Sequence, residues 1–274
     1  MFSRVESLTP RDHGDLTLTE TTDYGFVAER MFIQVVLSEI ADVAREYPLV
    51  FISDQGLPVA LTGIEENVNA YVAEDGSWRA HYIPGSIQAY PFALGKAAKE
   101  KGKGEYAVVF DPDAPQLSGK SGAPLFDSQG QPMEPLRRRM ELLKKMKKAE
   151  PTTRKLVQEL RDSGLLIDRA IRVTRQDAED TQVTGIQVVD ESKFNGLSGE
   201  EFLDLRKKGL LPLIYSHLLS MANLRQGVIA GKYPDLAARP APKEAEAQAA
   251  KRSSEVDLET FFADDGDLDL DFDA

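Results

Sequence analysis

The chain has 274 residues, 42% of them hydrophobic, with 33 basic and 45 acidic side chains and a formal charge of −12. That is enough apolar material for a real core, in one large domain or two small ones. The absence of cysteine excludes disulfides, thiolate zinc sites and cysteine nucleophiles together, and no apolar run approaches the roughly 18–20 residues that span a bilayer.

The charge is unevenly spread. From Glu255 to Ala274 there are nine acidic residues and no basic one, which leaves −3 for the other 254 residues. A near-neutral body lacks the basic footprint that displaces counterions from phosphates, so general nucleic-acid binding is not expected. The first ten residues mix charged and polar groups and hold no apolar signal core, so cytoplasmic residence is expected.

Residues 1–20 read as an irregular lead-in. Gly25–Ala28 and Phe32–Val36 are rich in aromatic and β-branched residues and read as extended. Ser38 is placed to cap a helix with Ile40, Val43, Ala44 and Tyr47 on one face, and Pro48 ends it. Leu49–Ser53 and Pro58–Ile64 follow as strands, and Asp75-Gly76 joins Ala70–Val72 to Trp78–His81 as a hairpin. Pro84 opens a helical turn that carries Ile87 and Tyr90 toward the sheet. A charged loop over Lys96–Gly104 precedes a buried-type strand, Tyr106–Phe110, and the prolines of Asp111–Pro124 predict irregular structure.

Two helices are then expected, Glu134–Lys148 and Thr153–Ser163, the second with Leu156, Val157 and Leu160 as its apolar stripe. Ala170–Thr174 and Val183–Val189 form a second hairpin. Ser198-Gly-Glu-Glu201 is a capping box that opens a helix to Lys208, stopped by Gly209. A last helix runs from Pro212 to about Ile229. Beyond Tyr233 the Ala, Pro, Lys and Glu composition cannot offset its ordering entropy, so 234–274 is expected to be disordered.

Motifs for chemistry are sparse. Ser118-Gly-Lys-Ser121 resembles the end of a phosphate loop, but Ala114 stands where that pattern needs glycine, and Gly122-Ala-Pro124 cannot start a helix in register. It reads as an ordinary loop. The three histidines, His13, His81 and His217, lie far apart and none has zinc-type spacing. His217 reads as a core histidine on a helical stripe, and His81, beside Trp78 and Tyr82, as partly buried and hydrogen-bonded. Asp111 and Asp113 sit at a strand end among prolines and read as turn formers.

Arg137–Lys148 carries seven basic residues against one acidic residue, with Leu136, Met140, Leu143 and Met146 on the other face. It is either a solvated surface helix or a site for an anionic partner. The tail alternates acid with Phe261, Phe262, Leu268, Leu270 and Phe272. Such a segment can dock on a partner, or on the basic helix, with charge steering and aromatics anchoring, or it can remain passively disordered.

In order and spacing, Tyr24-Gly-Phe-Val-Ala-Glu29, Glu46-Tyr-Pro-Leu-Val-Phe51, Pro58-Val-Ala-Leu61, Trp78-Arg79, Tyr82-Ile-Pro84 and Tyr90-Pro-Phe92 follow one pattern. It continues through Pro124-Leu-Phe-Asp127, the Leu142-Leu143 helix, Leu160–Leu166, Leu197-Ser198, Phe202-Leu203 and Leu219-Ser-Met-Ala-Asn-Leu224. Over roughly 24–225 the chain resembles the SapC-like family of bacterial proteins, named for a component associated with surface-layer proteins and their export. The resemblance implies no catalytic residues.

The expected fold is α+β, with an antiparallel meander from the first half covered by helices from the second. Residues 1–233 form one domain and 234–274 an acidic tail. The expected function is that of a non-enzymatic accessory or binding protein without cofactors or metals, its partner a protein or peptide. Trp78, Tyr82 and Tyr90 then either fill the core or wall a groove for a partner segment. The alternative is an enzyme with a dispersed acid–base site around His81 or His217.

Overall fold

The runs Leu49–Ile52 and Val59–Leu61 are apolar at successive positions, and all but Ile52 are fully buried. Strands covered on both faces belong inside a layered structure, and these two lie in the interior of the main sheet. The computed structural model describes residues 1–53, 55–96, 106–117, 122–173 and 181–234. Among the described residues the strands are β1 (Glu6–Ser7), β2 (Thr17–Leu18), β3 (Phe32–Gln34), β4 (Leu49–Ile52), β5 (Val59–Leu61), β6 (Phe92–Lys96), β7 (Tyr106–Phe110), β8 (Ala123–Pro124), β9 (Leu166–Val173) and β10 (Thr181–Val189). They form a five-stranded sheet in the order β3-β5-β4-β10-β9, a three-stranded sheet β1-β7-β6 and the pair β2-β8.

All the pairings are antiparallel, and with the helices this makes an α+β fold. Its main sheet draws on both halves of the chain. The β9–β10 hairpin joins through Ile186 opposite Ile52 and Gln187 opposite Phe51. Its register slips between Val183 and Ile186, where Gly185 takes φ +73°, the left-handed conformation a bulge of this kind demands. The expected hairpin of Ala70–Val72 with Trp78–His81 reduces to a single bridge, Val72 to Trp78.

Four local expectations are corrected. Gly25–Val27 is a 3₁₀ turn, not a strand, because the Asp23 carboxylate accepts the Gly25 N–H at 2.8 Å and closes the chain into a turn. Ser38 lies inside a short 3₁₀ segment, Leu37–Glu39, that precedes the helix Ile40–Glu46. The helices expected on either side of Pro151 are one helix, Glu134–Asp162. Pro151 costs that helix a hydrogen bond, about 3 kcal/mol, but the turn around it is braced. The buried Thr153 hydroxyl donates to Ala149 O at 2.8 Å and accepts the Leu37 N–H at 2.9 Å. The helix expected over 212–229 is instead Leu211–Ser220, Asn223–Gln226 and Val228–Lys232. Polar side chains at its break take up backbone groups elsewhere: Ser220 Oγ accepts the Leu49 N–H and Asn223 Nδ2 donates to Ala44 O. The Ser198–Glu201 capping box forms as read, and Gly209 ends its helix at φ +74°.

Among the described residues, most buried apolar side chains fall into two clusters. The larger surrounds β4, β5 and β10 and includes Val43, Tyr47, Phe51, Tyr71, Leu160 and Ile214. The smaller surrounds β6 and β7 and includes Leu18, Tyr90, Phe92, Phe110 and Leu125. The long helix belongs to both: Leu136 and Leu143 enter the smaller cluster, and Leu156, Val157 and Leu160 the larger.

His217 is a core residue, as read from its stripe. Its Nε2 accepts the Val189 N–H at 3.0 Å and its Nδ1 donates to Leu49 O at 2.6 Å, so one imidazole ties the helix Leu211–Ser220 to β10 and β4. Burial lowers its pKa from 6.5 to about 4, against the opposing pull of the Leu49 carbonyl. The unfolded chain therefore binds this proton more readily than the folded one between pH 6.5 and 4. The contribution is whole above pH 6.5 and lost as pH falls through that window, on the order of 3 kcal/mol in all. Urea titrations from pH 7.5 to 4.5 should show stability falling through this range, and His217→Asn should flatten the slope. An unchanged slope in the variant would contradict the assignment.

Candidate functional site

Tyr47 organises the first wall of the site. Its ring stacks on Tyr71 with centroids 4.4 Å apart, its hydroxyl accepts the Trp78 indole N–H at 2.8 Å, and it donates to the Tyr82 carbonyl. The Tyr71 hydroxyl donates to Glu46 O at 2.7 Å. Burial pushes both phenols far above their ordinary pKa, so they remain neutral donors at any physiological pH.

Two carboxylates then shape the segment 81–85. Glu46, at the end of its helix, accepts the His81 N–H at 2.7 Å and the Tyr82 N–H at 2.8 Å. Glu39 is buried. It accepts the Gly85 N–H at 2.7 Å, the Tyr82 hydroxyl at 2.8 Å and the Val36 N–H at 3.2 Å. Three donors satisfy the lone pairs of a carboxylate withdrawn from water. Gly85 is the residue that allows this approach, since a Cβ there would stand 3.2 Å from Glu39 Oε2 and 3.0 Å from Met146 Sδ. Burial, with Glu39 opposite, raises the Tyr82 pKa.

A third carboxylate, Asp111, anchors the other wall. It accepts the Ser3 N–H at 2.7 Å, the Ser3 hydroxyl at 3.0 Å and the Tyr90 hydroxyl at 3.2 Å. Burial alone would push its carboxyl up, but hydrogen bonds from Ser3, Asp113 and Arg4 outweigh this and hold its pKa below the usual carboxylate value. Tyr90 stacks on Phe26 at 4.3 Å and meets the edge of Phe2 at 5.3 Å. Asp111 thus acts as a clamp on the N-terminal segment.

Between these walls lies an open groove of about 640 Å³, inside the ~300–1,000 Å³ range of small-molecule clefts. Leu18, Tyr82, Ile87 and Tyr90 line it, together with Arg138, Arg139 and Leu142 of the long helix. Both core clusters therefore contribute to it. Arg139 holds Glu20 through two nitrogens, at 2.8 and 2.6 Å, and Arg138 pairs with Glu134 at 2.7 Å.

Tyr82 and Tyr90 both line this groove, Tyr82 half-buried and Tyr90 buried within the smaller core cluster. Trp78 stands behind it, half-buried against Tyr71 and Tyr24 at 6.0 and 5.5 Å, and braces Tyr47 rather than lining the cavity. His81 is exposed at the groove, not partly buried as expected, because Glu46 holds its backbone N–H and leaves the ring outside, 3.3 Å from the carboxylate. On the basic helix, Arg137, Arg138, Arg139 and Lys147 already engage Glu134, Glu20 and Glu150, which leaves less charge for an anionic partner. Positions 118–121 and the tail residues Phe261, Phe262, Leu268, Leu270 and Phe272 lie outside the described residues. Among the described residues no cluster of three His, Asp or Glu side chains is placed to hold a metal ion, and no helix is long and apolar enough to cross a membrane.

Glu39 and Gln116 carried no sequence signal, Phe26 and Glu46 stood only within the family pattern, and Arg139 only within the basic run. If Glu39 organises the Tyr82 wall, Glu39→Leu should cost about 4 kcal/mol in urea denaturation and Tyr82→Phe about 2 kcal/mol. A loss below about 1 kcal/mol for Glu39→Leu would show that the carboxylate is dispensable.

No curated protein and no solved structure matches this chain. The family model described as SapC matches residues 8–226, which include every groove residue named above. The chain belongs to the SapC family.

Proposed function

We propose that this protein is a non-enzymatic accessory protein for exported or surface-layer polypeptides, and that it holds an extended partner segment in the groove walled by Tyr82 and Tyr90. The observation that carries the reading is the groove itself. It pairs two aromatic walls with an arginine-bearing rim, and its walls are fixed from behind by Glu39, Glu46 and Asp111. Aromatic rings supply contact area at low entropic cost, and a braced wall loses little freedom on binding. Trp78 serves the same end indirectly by holding Tyr47 in place. The acidic residues from Glu255 onward, with Phe261, Phe262, Leu268, Leu270 and Phe272 among them, offer a second contact for the same partner, and the protein meets that partner in the cytoplasm, before export.

The catalytic alternative keeps one observation, the His81 ring beside Glu46 at the groove. His217 no longer contributes, since backbone groups engage both its ring nitrogens. A turnover of bound polypeptide abolished by His81→Ala, with binding intact, would favour catalysis.

The binding reading is tested with a permanently unfolded polypeptide, such as reduced and carboxymethylated α-lactalbumin, titrated against the full chain. Binding should weaken by about tenfold or more in Tyr82→Ala and should change little with salt. Absence of binding would overturn the reading. So would affinity that falls steeply with salt and is unaffected by Tyr82→Ala, which instead marks the basic helix as the contact.

A further inference from the structure

Two polar atoms of groove-lining residues are sealed from solvent and have no hydrogen-bond partner among the described residues: the side-chain oxygen Oε1 of Gln116 and the Nε–H of Arg139. Gln116 is 5% exposed and the Arg139 side chain 17%. Folded proteins leave few such atoms, because each one unpaired costs about 1–3 kcal/mol. Here one is an acceptor and the other a donor.

Their neighbours place them along one stretch of chain. The Gln116 carbonyl accepts the Thr19 N–H at 2.9 Å, and Arg139 takes the carboxylate of the next residue, Glu20, through Nη1 and Nη2. The orphan acceptor and the orphan donor are thus held by successive residues of the segment leaving β2. Glu20 also neutralises Arg139, so the remaining Nε–H suits a neutral carbonyl better than a second carboxylate.

We propose that Gln116 and Arg139 turn toward the groove when a segment binds and read its main chain, with Gln116 Oε1 accepting a backbone N–H and Arg139 Nε donating to a backbone C=O. An extended residue presents both groups on the same edge, which is how a strand meets its neighbour. The proposal rests on the peptide reading of the groove and sharpens it. Affinity comes from main-chain pairing that tolerates many sequences, and selectivity from side chains packed on Tyr82, Tyr90 and Phe26.

The test uses the tightest peptide recovered from a displayed library of random short sequences panned on the full chain, together with its N-methyl scan. Gln116→Met removes the acceptor at similar volume, so it should melt at or above the wild-type temperature while binding about tenfold more weakly. N-methylation at one peptide position should weaken wild-type binding by a similar factor and leave Gln116→Met binding unchanged, the signature of a direct pair in a double-mutant cycle. Arg139→Lys, which keeps the charge for Glu20 but lacks Nε–H, should weaken binding in turn. If peptides bind and Tyr82→Ala weakens them, yet N-methylation costs the same in wild type and Gln116→Met at every position, the main-chain assignment is wrong. Buried water then satisfies the two atoms. If panning yields no peptide sensitive to Tyr82→Ala, the groove reading itself falls.

Discussion

One helix is shared by two hydrophobic clusters, and the remaining architecture depends on that sharing. Leu136 and Leu143 enter the cluster around β6 and β7, while Leu156, Val157 and Leu160, about four to seven turns further on, enter the cluster around β4 and β5. The apolar stripe must stay in phase over this length, which explains why Pro151 does not end the helix. Breaking it there would uncouple the two ends, and burial of three large aliphatic side chains, at about 1.5–3 kcal/mol each, outweighs the lost hydrogen bond. Thr153 recovers part of the remainder through Ala149 and Leu37. Residues of both clusters line the groove together with Arg138, Arg139 and Leu142 of this helix, so its walls are as rigid as the joint between the clusters.

Carboxylates do the finer positioning, Glu39 and Asp111 from buried positions and Glu46 from a half-buried one. Glu39, Glu46 and Asp111 each accept several donors from segments distant in sequence, and each fixes one stretch of irregular backbone beside the groove. A carboxylate is well suited to this task because it offers up to four lone-pair sites where a loop exposes several N–H groups. The same demand makes it costly when incompletely satisfied, so these three sites are where the fold tolerates least change. Tyr47 and Trp78 play the neutral version of this role, with ring area supplying what charge supplies elsewhere.

Much of the fold was legible in the sequence because local signals and packing agree there. The strands around Val50 and Ala60, the Ser198 capping box, the Gly209 cap and the core placement of His217 all follow from patterns contained within a few residues. Two of the failures share a cause. Pro151 and the run Pro212–Ile229 each carry a clear local signal that distant partners override: Leu37 for Thr153, Ala44 for Asn223, Leu49 for Ser220. Tyr82 and Tyr90 were readable as either core or groove wall, and Tyr90 is in fact buried in the smaller cluster while still lining the groove. Trp78 was readable as important but not as a brace, since its partner Tyr47 is 31 residues away. Gln116 and Glu39 had no local mark. Their meaning comes from what surrounds them in space, which one sequence does not reveal.

Hydrogen exchange across a denaturant series tests the shared helix most directly. If the helix makes the two clusters one cooperative unit, amides of β7 in the smaller cluster and of β4 in the larger should open with the same free energy and the same denaturant dependence. Loss of protection in β7 at a lower denaturant concentration, with β4 still closed, would mean that the clusters unfold separately and that nothing holds the groove walls in fixed relation.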